Sequence, residues 1–547
     1  MKFSLIFFLL AGLITSAYGQ TNSIGKRLPD DAAPADQQVF RYTMLEPLSY
    51  DISIALYEAQ GAVPLFERLT MLNKDLELVP AAASSWERSS DGLKWTFHLR
   101  PDSRWSDNRP VTAHDFEYTY KRLLDPAEAS PYAFFYYEIK GARPFNQGKT
   151  TDSGTIGVRA LDDLTLEIET EYPCPYLPFI VGFSGSGPVP RWQVEKFGRQ
   201  WSDAGKFVSN SSYTLTSWQS GRQAVLSLNP YYKGPHQGFL EQIVQIFTTG
   251  HVGTAPYENN EIDYVRVQVS DLPYIESDPE LNRQLVKYSF PETSYLFFKS
   301  SQPPFDNLKV RQAISHAINR DALCNVVLRN TAIPAYSMLP SRFPGSSDGA
   351  LNTIQAYNPS LAQTLLAEAG YPKGKGFPRV DFWVGKSSPQ LNYVAQAVQA
   401  MLKNNLGIDI QIITSEDKVY RDNMYRWNIP MGLGSFNADY PDPNNLLGMV
   451  WRTQTRGFGR QDWNHPTFNS LIDAAAFELD QDRRIEMYQE AEQLLVEDVG
   501  GVFLYHNLTV ELRKPWVKGL GNNKYGYPFF TWIGTVHTDM YIGKRTP

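Results

Sequence analysis

The sequence predicts an α/β protein of more than one domain, and three observations carry that prediction. The chain has 547 residues, whereas a single core stops growing near ~250–300 residues. Residues 380–413 read as strand, helix and strand, which implies a parallel sheet. Strand pairs without an intervening helix, at 158–169 and 213–228, make the sheets mixed rather than purely parallel.

The N-terminus reads as an export signal, residues 1–19. Lys2 supplies the positive end, Leu5 to Ile14 is too short to span a bilayer, and Ala17-Tyr18-Gly19 is a small-x-small cleavage site. The junction has no Cys, so no lipid anchor is expected. The exported protein is expected in the periplasm where the cell has an outer membrane. Residues 20–37, with Asp30, Asp31, Pro34 and Asp36, read as a flexible lead-in.

Residues 39–44 read as the first strand, and 65–69 as a helix or its end. Trp95 to Leu99 alternates large apolar with polar residues, as a half-buried strand does. Thr112-Ala113-His114-Asp115 resembles a capping box with Asp for the usual Glu. It opens a helix bearing Phe116, Tyr120, Leu123 and Leu124 on one face. Residues 130–137 are dense in aromatics, either core or a stacking wall. Residues 213–228 read as a hairpin around Ser220-Gly221. After a buried-type strand at 295–298, Asp306 or Asn307 caps a helix. A further helix carries Leu361, Leu365, Leu366 and Ala369 and is closed by Gly370. Beyond the parallel unit come a strand at 429–436, helices at 468–477 and 482–496, and a strand at 502–505.

The 429–436 run contains Gly432 and Gly434, and glycines in strands mark close approach of a backbone or a ligand. It delivers Asp439, flanked by Phe436 and Tyr440, and stops at Pro441-Asp442-Pro443. A carboxylate between aromatics suits a cationic ligand group, because the rings exclude water and the charge supplies a partner. Asp also favours turns, and this stretch alone admits both readings.

Several function classes are excluded. A formal charge of -7 is wrong for a nucleic-acid binder. There is no phosphate-binding loop and no dinucleotide fingerprint. The Gly182–Gly187 run has Ser186 where a nucleophile elbow needs its second glycine. Two Cys and eight His show no ligand spacing, so no metal is expected. Cys174 and Cys324 could pair after export, but are read as two buried thiols. No carboxylate pair is selected for acid–base work. The chain therefore reads as a non-enzyme without a cofactor.

One block, Trp95 to Asp102 with Trp105-Ser106-Asp107, Pro110 to Ala113 and Asp115-Phe116, closely resembles the signature of the peptide-type extracellular solute-binding proteins of ATP-binding-cassette importers. Ala129 to Ala133, Glu195 to Gly198, Pro303-Pro304-Phe305, Val310 to Ala313, Leu366 to Tyr371, Ala438-Asp439-Tyr440 and Lys514-Pro515-Trp516 follow in family order. The resemblance implies a hinged two-lobe periplasmic-binding-protein fold, class II or cluster C, with an extra subdomain at about 65–205. Lobe I would be 38–293 with the return 507–547, and lobe II 294–506. The crossings near Thr293 and His506 would form the hinge.

By the same resemblance, Asp439 binds a peptide's α-ammonium. Tyr440 flanks it, and Tyr132 belongs to the stacking wall. Ser435, Phe436 and Asn437, with Ala55, Leu56, Tyr57 and Glu58, pair with the ligand main chain, which is strand addition. The family's cysteine pair is replaced by Asn437 and Glu292. Where relatives place carboxylate-binding arginines stand Met424 and Leu433, with Arg426 nearby and Lys386 near the dipeptide-type position. Lys386 reads equally well as a solvated loop lysine. The implied protein is a monomeric receptor for oligopeptides or dipeptides that serves an inner-membrane ATP-binding-cassette permease. Because family members also take nickel chelates, oligosaccharides, opines and haem, a non-peptide solute is the alternative. Trp383, Trp427 and Trp451 could then stack on sugars, or could be core.

Overall fold

The computed structural model describes residues 20–54, 61–386, 389–454, 461–521 and 537–545. The signal segment 1–19 and the ligand-pairing residues Ala55, Leu56, Tyr57 and Glu58 lie outside the described residues.

Two lobes share one eleven-stranded sheet. Its middle is a pair of long antiparallel strands, Leu285–Phe298 and Gly501–Arg513. On one side Gly501–Arg513 pairs with Tyr264–Arg266, which leads to Val39–Leu45, Gln242–Thr248, Gln223–Leu228 and Tyr213–Gln219. On the other, Leu285–Phe298 pairs with Met431–Asn437, followed by Val380–Gly385 and Ile410–Ser415. The last two are parallel and joined through the helix Pro389–Leu406, as the periodicity predicts.

Sequence patterning marked only the apolar ends of the long strands. Their other halves carry Lys287, Ser289, Asn507 and Thr509, and pair through main chain rather than through an apolar face. The ladder between them is interrupted from Ser289 to Thr293, around Pro291, which has no N–H to give. Beyond the interruption Thr293 lies opposite His506. Thr293 Oγ1 donates to the Met338 carbonyl at 2.7 Å and lies 2.9 Å from His506 Nδ1. The hydroxyl has one proton, so the imidazole donates from Nδ1. Burial pushes the His506 pKa down to about 4, which keeps the ring neutral.

A separate antiparallel sheet, in the order Ala83–Arg88, Lys94–Leu99, Thr165–Glu169 and Val158–Asp162, packs on the helix Ala113–Leu124. The capping box is present: Thr112 N donates to Asp115 Oδ2 at 2.8 Å. This sheet and the N-terminal half of the large sheet share one apolar core, from Phe40 and Ile243 to Phe97, Trp105 and Phe116. Two more cores are built mostly from residues 295–505, the second joined by Leu72 and Leu76. One lies under the helices Leu308–Ala317, Pro359–Glu368 and Pro389–Leu406, and the other surrounds Trp451, Trp463, Phe468 and Tyr488.

Four expectations are corrected. Residues 20–37 are tied down, not free: Asn22 Nδ2 donates to Gly238 O at 2.9 Å, Ala33 N to Ile542 O at 2.7 Å, and Leu28, Ala32 and Ala33 are buried. The two ends of the chain meet there, which composition does not reveal. Only Val63–Leu65 is helical, as one 3₁₀ turn; 66–68 form no regular element, with Glu67 and Arg68 buried. The buried stripe of the Pro359–Glu368 helix is Ala362 and Leu366, while Leu361 is exposed. Finally, what approaches Gly432 and Gly434 is aromatic: a Cβ there would sit 2.5 Å from the Phe297 ring and 2.7 Å from the Tyr295 ring. Cys174 and Cys324 are free and buried, as read.

Candidate functional site

The strand Met431–Asn437 ends beside the interruption in the long ladder. The interruption frees the Pro291 carbonyl, which accepts from Ala438 N at 2.9 Å and sets the exit of the chain. Asp439 follows. It is only 5% exposed. Its Oδ1 accepts from Tyr132 Oη at 3.1 Å, and its Oδ2 from Asn445 Nδ2 at 3.2 Å. Asn445, fully buried, closes a reciprocal clasp by accepting from Asp439 N at 2.7 Å. The carboxylate is thus held from both sides of the molecule: Tyr132 comes from the N-terminal aromatic run, Asn445 from the turn behind the site. It makes itself felt electrostatically at Tyr136, whose pKa is raised by burial first and by Asp439 second.

The aromatics flanking Asp439 are anchors. Phe436 packs into the Trp451 core. Tyr440 crosses into the N-terminal core, where Phe135, Tyr176 and Phe179 surround it at ring-centroid distances of 5.7, 6.1 and 6.0 Å. Tyr132 stacks on Phe183 at 5.3 Å. The dense run at 130–137 is therefore core on one side and holds the carboxylate on the other.

Three residues on, Asp442 is also buried, and Arg484 grips it with two bonds of 2.6 and 2.7 Å. Burial works against the Arg484 charge, and Asp442 more than offsets this, so the guanidinium titrates above its usual range. Arg484 also lies over the rings of Tyr176 and Tyr488. The Pro-Asp-Pro turn is fixed internally by this pair.

The model of the bacterial extracellular solute-binding proteins, family 5, matches residues 77–458. The chain belongs to this family. It is 30% identical over 465 residues to the periplasmic oligopeptide-binding protein OppA of Escherichia coli K12, covering 83% of this chain and 84% of that protein. Its fold is similar to the unliganded open form of the periplasmic murein tripeptide-binding protein MppA, with a TM-score of 0.76 at 28% identity over 94% of this chain and 99% of that one. It is also similar to Haemophilus influenzae OppA in complex with the peptide RPPGFSPFR, with a TM-score of 0.75 at 25% identity over 93% and 99% of the two chains. The two-lobe binding-protein fold is that of this family.

The remaining family-5 positions fall as follows. Ser435 is exposed and lies opposite Ser294, and Asn437 is opposite Glu292. Lys386 is exposed at the end of Val380–Gly385, and its Nζ pairs with the exposed Glu416 at 2.7 Å, which raises its pKa. Arg426 is exposed at the C-terminal end of the helix Asp417–Tyr425. The structure therefore brings Asp439, Tyr132, Asn437 and Tyr440 to one junction, while Lys386 and Arg426 are surface cations. Trp451 is core, 1% exposed. Asn445 and Arg484 were not singled out from sequence. Asn445 carried the one available signal, a polar pair straight after Pro443.

Proposed function

We propose that the protein is a solute-binding receptor that captures oligopeptides or dipeptides between two closing lobes and delivers them to an inner-membrane ATP-binding-cassette permease. It acts as an exported periplasmic monomer without a lipid anchor and without catalysis of its own. Lobe I is 38–293 with 507–547, lobe II is 294–506, and the Thr293–His506 pair lies at the hinge. One observation carries the reading: the carboxylate of Asp439, the residue that the resemblance matches to an ammonium-binding aspartate, is buried between Tyr132 and Asn445. An oxygen pair held by a phenol and an amide can accept a primary ammonium, and the surrounding rings keep water from competing. The ligand main chain then adds along Ser435 to Asn437, so affinity comes from N–H and C=O groups common to all peptides. The relatives named for oligopeptides and murein tripeptide fit this reading.

The test is made on the ligand. Titration calorimetry compares trialanine with its N-acetylated form. Acetylation removes the charge and is expected to abolish measurable binding. Equal affinity for the two would end the proposed role of Asp439. Mass spectrometry of whatever co-purifies with the protein then gives the natural ligand length.

A further inference from the structure

By the family resemblance Glu292 replaces half of a cysteine pair, and its surroundings are not those of a spacer. It faces Asn437 across the ladder, and Ser294 faces Ser435 in the next position on the same face. Ser435 is exposed and Glu292 is half-buried. Asn437 Oδ1 is buried and has no hydrogen-bond partner among the described residues. Among the described residues the donors at Glu292 are the neutral Ser435 and Asn507, and the charge of Arg266 also acts on it. Burial raises its pKa, the mark of a carboxylate whose charge is incompletely compensated. The patch is thus rich in acceptors and short of donors, and a buried acceptor without a donor calls for an explanation. It also lies two residues before Asp439, or about 7 Å along a strand. An extended ligand whose ammonium sits at Asp439 brings its first or second residue beside Glu292.

We propose that Glu292, with Asn437 Oδ1, selects ligands that carry a second cation, a lysine or arginine side chain, on the first or second residue. This rests on the peptide reading above. A cationic group with several N–H donors would satisfy the carboxylate and the orphaned amide oxygen together. Neither single partner explains the patch as well: a neutral side chain would leave the charge uncompensated, and an anionic one would be repelled.

Calorimetry with Lys-Ala-Ala and Ala-Lys-Ala, each against its norleucine counterpart and against trialanine, tests this directly. Lysine is expected to gain about tenfold over norleucine at one of the two positions. Glu292→Gln is expected to remove that gain while leaving trialanine affinity within about twofold, and Glu292→Asp to retain part of it. Lysine and norleucine binding alike, or a preference that survives Glu292→Gln, overturns the assignment while trialanine binding leaves the peptide reading intact. Should Glu292→Gln fail to bind trialanine, the lysine–norleucine ratio in the unaltered protein and in Glu292→Asp decides. If no peptide binds the unaltered protein, both the assignment and the reading beneath it fall.

Discussion

Asp439 and Asp442 stand three residues apart, both buried, and the molecule treats them differently. Asp442 is gripped by Arg484 in a bidentate pair. Asp439 is held by the phenol of Tyr132 and the amide of Asn445, groups from opposite sides of a junction. A guanidinium fork satisfies a carboxylate internally and fixes the turn. Phenol and amide bonds orient a carboxylate without fixing it in a guanidinium fork. One short stretch thus contains a structural aspartate and the aspartate proposed to bind ligand, and the contrast says which measurement each should move.

The largest effect is expected at the structural member. Arg484→Met strands the Asp442 charge in the core, and breaking a buried pair this way costs about 3–5 kcal/mol. Thermal unfolding of the ligand-free protein should show it, and an unchanged melting temperature would erase the contrast. Asp439→Asn should act the opposite way, with little change in ligand-free stability and a loss of about 2–5 kcal/mol in peptide binding, roughly 30-fold or more. Calorimetry with trialanine reads that loss.

A third buried carboxyl, Glu492, sharpens the comparison because it meets backbone rather than a cation. It accepts from Leu339 N at 2.7 Å, and burial pushes its pKa up to about 7. The folded state therefore binds this proton more tightly than the unfolded chain does. Its contribution to stability is complete below the ordinary glutamate range and is lost as pH rises through about 7. Glu492→Gln should match the parent protein near pH 4 and exceed it above pH 7, by at most on the order of 3 kcal/mol. Urea unfolding across that range checks the sign. The smallest effect belongs to Tyr132→Phe, which deletes one hydroxyl bond to Asp439. A loss of about 1 kcal/mol in ligand-free stability is expected, with the Phe183 stacking retained.

Much of the fold is legible in the sequence. The strand Lys94–Leu99, the Thr112 box, the hairpin at 213–228 and the parallel unit at 380–415 all follow from local period and cap chemistry. The long strands were only half legible, because their ladder runs past Pro291 and through polar residues that no apolar period marks. Residues 20–37 were misread because low hydrophobicity describes a segment in isolation, and here the far end of the chain covers it.

The sequence by itself determined that a carboxylate would stand at the end of a glycine-containing strand, just ahead of a proline turn. That is a matter of neighbours along the chain, which backbone period and turn preference control. Only the tertiary structure decided that Asp439 would be buried beside Tyr132, 307 residues away, and that Asp442 would be claimed by Arg484, 42 residues on. The charge of a buried group is set by whatever the fold packs against it, and those partners share no local pattern with it.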